Sequence, residues 1–120
     1  DYTEMQWRIM QQKNPKDYVI ATGHAYSVKQ FVNIASSYLG MKIFWSGKGL
    51  KEIGYIKNKN KKKILIRIDK SYFRPNEVKY LKGDASKALK DLKFKPKYSF
   101  KDLVKDMIDS DLKEAKKELK

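Results

Sequence analysis

Few residues in this 120-residue chain combine reactive side chains with a spacing that could use them. The most suggestive stretch is Tyr72-Phe73-Arg74-Pro75-Asn76-Glu77-Val78, in which an arginine fixed by a following proline stands three residues before a carboxylate. A guanidinium presents a rigid fork of donors to two phosphate oxygens at once, and a carboxylate accepts from sugar hydroxyls. Arg74 with Glu77 therefore suits the diphosphate and sugar of a nucleotide. The plainer reading is a surface ion pair at i and i+3, which contributes little. His24, the lone histidine, follows Gly23 in a loop where many folds meet a ligand. With no second histidine and no nearby carboxylate in sequence, it reads as a surface loop residue rather than a catalytic base.

Other arrangements fall away on inspection. The chain has no cysteine, which excludes a disulfide framework, a zinc knuckle and a thiol nucleophile. One histidine leaves little for a metal site or a Ser-His-Asp triad. Gly47-Lys48-Gly49 lacks the third glycine of a dinucleotide-binding loop and reads as a turn. Tyr-x-x-x-Lys pairs, which activate a tyrosine when both lie on one helical face, occur at Tyr38/Lys42 and Tyr55/Lys59. Gly40 breaks the first, the second lies at a hairpin entry, and a chain this rich in Tyr and Lys yields such matches by chance.

The elements that must position these residues alternate between helix and strand. Glu4 to Gln12 has helical spacing that ends before Asn14-Pro15, and Asp17 to Gly23 is a short apolar run expected to be a buried strand. Ser27-Val28-Lys29-Gln30 is a capping box opening a helix that closes at Gly40. Met41 to Trp45 is expected to be a second strand. Glu52 to Ile56 and Lys63 to Asp69 form a hairpin with a basic tip at about 57–63, Ile64, Ile66 and Ile68 alternating against Leu65 and Arg67. Asp84 is expected to N-cap a helix to about Leu92, and Ser99 with Asp102 to open a long amphipathic helix whose end, Lys113 to Lys120, should fray. The expected fold is α/β, helices around a small mixed sheet, in a single subdomain over 1–120. Because Asp1 leads straight into an amphipathic helix, the chain is expected to be a fragment.

The net charge of +14 invites a nucleic-acid reading. Its distribution weakens that reading, because only residues 41–70 are strongly one-sided and Lys57 to Lys63 has the composition of a solvated loop. Arginine occurs only at positions 8, 67 and 74, whereas base-edge readers favour it. A small basic nucleic-acid-binding module remains the rival reading. No apolar run is long enough to span a membrane and no signal-peptide pattern opens the chain, so the expected setting is the cytoplasm.

Several blocks, in order, resemble the C-terminal, substrate-binding part of the GDP-mannose 4,6-dehydratase family, which belongs to the extended short-chain dehydrogenases/reductases. They are Asp17-Tyr18-Val19-Ile20-Ala21-Thr22-Gly23 with Ser27-Val28 and Phe31; Trp45-Ser46-Gly47-Lys48-Gly49-Leu50; Arg67-Ile68-Asp69 with Tyr72 to Val78; and Leu81, Gly83-Asp84, Ser86-Lys87-Ala88 and Lys95-Pro96-Lys97. The resemblance implies NADP-dependent conversion of GDP-mannose to the 4-keto-6-deoxy sugar nucleotide. It also implies that the Rossmann half, with its cofactor loop and catalytic residues, is absent, that Arg74 holds the diphosphate and Glu77 the ribose, and that the parent is a homodimer or homotetramer. His24, Lys79 and Ala85 depart from the Glu, Asp and Pro common in the family. The substrate part of another sugar-nucleotide epimerase or dehydratase would share the Arg-plus-acid arrangement.

Overall fold

A computed structural model describes residues 1–58, 61–74, 76–78 and 80–119. Both capping boxes form. Ser27 Oγ accepts from the Gln30 N–H at 3.1 Å while Gln30 Oε1 accepts from the Ser27 N–H at 2.7 Å, opening α2 (Val28–Tyr38). Ser99 Oγ and the Asp102 carboxylate do the same at 3.2 and 2.9 Å for α4 (Phe100–Glu118). Each box satisfies two amide donors that a helix start otherwise leaves unpaired. The expected fraying after Lys113 does not occur, since α4 stays helical to Glu118. Asp102 in the first turn of the helix and Lys116 and Lys117 in its last suit its dipole at both ends.

The shorter helices are α1 (Tyr2–Met10) and α3 (Ser86–Leu92). Ala85, not Asp84, occupies the N-cap position of α3. The Asp84 carboxylate nonetheless accepts from the Ser86 N–H at 2.9 Å, capping the helix from one residue further out. The Asp17 to Gly23 run is not a strand. It is apolar because Tyr18 and Ile20 pack onto the helices beside them, and a segment without a neighbouring strand has no ladder to join.

The sheet is antiparallel throughout rather than mixed, in the order β1 (Phe44–Ser46), β2 (Ile53–Asn58), β3 (Lys61–Arg67). Parallel neighbours need a crossover of a dozen or more residues. The connections here are far shorter, and β1 begins three residues later than the sequence pattern suggests. Gly47 makes the first turn, where a Cβ would run into the Lys51 carbonyl and φ is +90°. The hairpin apex, residues 59 and 60, lies outside the described residues. Alternation on β3 is shallow, with Ile66 half-buried while Ile64, Leu65 and Ile68 stay exposed.

Two packed regions result. At one, Met5, Ala88, Leu92 and Phe94 are buried together, with Ile9, Tyr18, Ile20 and Ala85 against them, so that α1 and α3 share one small core. Lys93, in the left-handed region at φ 54°, turns the chain so that the Phe94 N–H returns to the Ala88 carbonyl. At the other, α2 and α4 lie side by side in the same sense, Tyr26 stacking on Phe100 at 4.0 Å and Tyr38 Oη donating to Asp109 at 2.9 Å. Trp45 Nε1 donates to Asn33 at 2.8 Å and Lys29 meets Glu52 at 2.7 Å, tying the sheet to α2. The radius of gyration is 19.2 Å and the extents are 64 × 41 × 23 Å.

Candidate functional site

The turn bearing Arg74 and Glu77 is built by local bonds. A 3-10 turn over Lys70–Tyr72 is capped by Asp69, whose carboxylate accepts from both the Ser71 amide and the Ser71 hydroxyl at 2.9 and 2.8 Å. Those two bonds, the amide's first, hold the Asp69 carboxyl below its ordinary value. The chain then leaves extended at Phe73 and folds back so that the Glu77 N–H reaches the Arg74 carbonyl at 3.3 Å. Pro75, expected to fix this turn, lies outside the described residues.

The fold-back brings the two predicted side chains together. Arg74 Nη1 stands 3.8 Å from Glu77 Oε2, with the side chains 80% and 63% exposed. At that separation and exposure the pair contributes little to stability, and both groups remain free to meet a ligand. Around them Tyr72, Phe73, Val78, Tyr80 and Leu81 are all exposed. These exposed apolar side chains lie next to the charged pair along the chain.

A separate cleft of about 470 Å³ lies between the loop at Thr22 and Gly23 and the start of α3 at Lys82 to Ser86. Neither Arg74 nor Glu77 lines it. Gly83 sits in its wall, where an added Cβ would stand 2.6 Å from that of Ala21. The Asp84 carboxyl is held down chiefly by the Ser86 hydroxyl and then by its amide, so it presents a carboxylate there. Sequence reasoning did not single out Lys82 and Asp84 as cleft residues. The available signal was the small-residue pair Ala21 and Gly83, which permits close approach but shows it only once the fold is known. His24 lies exposed beside Tyr26, with no acidic partner among the described residues.

Gly47-Lys48-Gly49 runs from an antiparallel strand into a three-residue 3-10 turn. A phosphate-cradling loop instead joins a parallel strand to the N-terminus of a long helix, so this turn is not a loop of that kind.

Residues 1–107 match the sequence profile of the family described as GDP-mannose 4,6 dehydratase. The chain belongs to that family. Among relatives, it is 44% identical to GDP-mannose 4,6 dehydratase of Drosophila melanogaster over 98% of its own length and 29% of that protein's. It is 39% identical to the Homo sapiens GDP-mannose 4,6 dehydratase, covering 93% of this chain and 30% of the relative. It is likewise 39% identical to the Vibrio cholerae GDP-mannose 4,6-dehydratase, covering 96% and 33%. The chain thus spans about a third or less of the relatives it matches. The family match contains the Arg74 to Glu77 turn and the cleft between Thr22 and Ser86. It also contains an α/β arrangement of helices around a three-stranded antiparallel sheet. Among the described residues no helix is long and apolar enough to cross a membrane, and no cluster of His, Asp or Glu could hold a metal ion.

Proposed function

We propose that this chain is the sugar-nucleotide-binding subdomain, over 1–120, of a GDP-mannose 4,6-dehydratase. In this reading Arg74 grips the diphosphate and Glu77 accepts from the ribose hydroxyls. The observation that carries the reading is the family match over residues 1–107, which includes a turn where a guanidinium and a carboxylate stand together in the open. The chemistry agrees: a bidentate donor fork suits a diphosphate, and a carboxylate suits a diol. NADP and the groups that move protons belong, in this reading, to the part of the parent beyond this chain. The 120-residue chain by itself therefore turns over no substrate. The parent is a lyase of the extended short-chain dehydrogenase/reductase type, cytoplasmic, and a homodimer or homotetramer.

Ligand-observed NMR on the chain with GDP-mannose, GDP and UDP-glucose tests this. Selective signals from the two guanosine compounds, lost in Arg74→Ala, are expected. Equal signals from UDP-glucose, or guanosine binding unaffected by Arg74→Ala, would remove the turn from the site. In the full-length parent, Arg74→Ala is expected to raise KM for GDP-mannose.

A further inference from the structure

The hairpin lysines acquire an arrangement in the sheet that the sequence run does not show. Strand pairing sets Phe44 opposite Tyr55, Tyr55 opposite Ile64 and Lys57 opposite Lys62, so these side chains share one face. Lys42, two residues before Phe44 and just outside β1, comes to the ring of that residue. Its ammonium lies 5.5 Å from the centre of the Phe44 ring, that of Lys57 lies 4.6 Å from the same ring, and that of Lys62 lies 4.9 Å from the Tyr55 ring. The two rings stack at 5.9 Å beneath them. Three ammonium groups therefore stand in a row across the strands on an aromatic floor, with Lys61 and Lys63 on the opposite face of the same hairpin.

Like charges directly opposite one another destabilise a sheet. None of the ion pairs among the described residues reaches any of these five lysines. The nearest acidic group in the sequence, Glu52, is taken by Lys29 at the far end of β2. A repulsive row kept without a carboxylate is an unmatched cost within the chain, and an external polyanion would relieve it.

We propose that the Lys42–Lys57–Lys62 row is a docking surface for the phosphodiester backbone of single-stranded nucleic acid, bound without regard to sequence. The strand spacing of about 4.8 Å separates Lys57 from Lys62, and Lys42 beside the Phe44 ring extends the group beyond them, room for about two successive phosphates. Lysine ammoniums bind phosphates as point charges and carry no base-reading fork, which suits backbone contact alone. A membrane surface fits less well: an inserting face needs a broad apolar area beside the charges, and here Tyr55 is only 8% exposed under its lysine, leaving Ile64 at 38% as the exposed apolar residue paired opposite it.

Fluorescence anisotropy of a labelled oligo(dT) of about twelve nucleotides, titrated with the 120-residue chain from about 50 to 200 mM KCl, tests the proposal. K42Q/K57Q/K62Q is expected to bind about a hundredfold more weakly near 0.1 M salt and to flatten the log–log salt slope by about 2. K113Q/K116Q/K117Q, which removes the same charge from the end of α4, should bind nearly as the unmodified chain does. K42R/K57R/K62R should retain binding and so separate lost charge from lost packing over the rings. Equal losses in the two glutamine variants would overturn the proposal, as would loss of binding in the arginine variant. So would failure of the unmodified chain to bind, or capture of phosphatidylserine vesicles that oligo(dT) does not compete away.

Discussion

The corner formed by α1 and α3 and the segment from Asp69 to Gly83 are held in opposite ways. At the corner, residues more than eighty positions apart are joined. Arg8 donates to the Leu92 carbonyl at 2.9 Å, and Glu4 meets both Arg8 and Lys97 at 2.5 Å. Asp1 accepts from the Lys97 amide at 3.1 Å, and the apolar cluster of Met5, Ala88, Leu92 and Phe94 is sealed beneath. Between Asp69 and Gly83 the hydrogen bonds of the described residues are local, reaching two or three positions along the chain. The turn proposed to hold the nucleotide thus sits on the less tethered of the two regions. Under the proposed reading, a grip that its surroundings do not hold rigid gains its order on binding, and that ordering subtracts from affinity.

The contrast can be broken at its strong end first. Leu92→Ala removes a buried side chain from a core of only four sealed residues and is expected to cost about 2–5 kcal/mol, read as a large drop in urea midpoint. A midpoint little changed would mean the corner is not what holds the chain together. Gly83→Ala attacks the seam between the regions, because its methyl group would meet the Ala21 Cβ and force a backbone shift. A loss of about 1–3 kcal/mol in the same assay is expected.

Acid probes the polar rim of the corner. Lys97 first and Arg8 second hold the Glu4 carboxyl below its ordinary value of 4.5. Its folded-state value is the lower one, so its contribution is complete above the ordinary value and is lost as pH falls through the depressed one. Glu4→Gln should therefore lower the urea midpoint at neutral pH and show a smaller further drop on acidification than the unmodified chain. Equal acid drops in the two proteins would show that Glu4 carries none of the linkage. The smallest expected effect on stability is at the other region: Arg74→Ala should leave the midpoint unchanged while abolishing the guanosine signal. A large stability loss there would mean that Arg74 is a structural residue after all.

The parts of the fold legible in the sequence were those fixed by neighbours along the chain. Ser27 with Gln30 and Ser99 with Asp102 announce their helices because a capping box needs only four consecutive residues. The two-armed hairpin is legible for a similar reason. The Asp17 to Gly23 run misleads because apolar composition records burial, not pairing, and Tyr18 and Ile20 are covered by α1 and α3 rather than by a strand. The antiparallel sense of the whole sheet follows from connection lengths, which were available but outweighed by the helix–strand alternation. At the candidate site, Arg74 and Glu77 were found by residue type and spacing, and the fold brings them together. Lys82 and Asp84 became cleft residues only through the approach of Gly83 to Ala21, and the lysine row only through strand register.

The elongation of the molecule has a practical consequence for weighing it. A compact chain of this length would have a radius of gyration of about 14 Å, and 19.2 Å is the value for a globule of roughly 300 residues. On a sizing column a single copy would therefore elute well ahead of its 14.1 kDa and imitate a dimer. Light scattering or sedimentation equilibrium, which weigh the particle rather than time its passage, are the means of counting its copies.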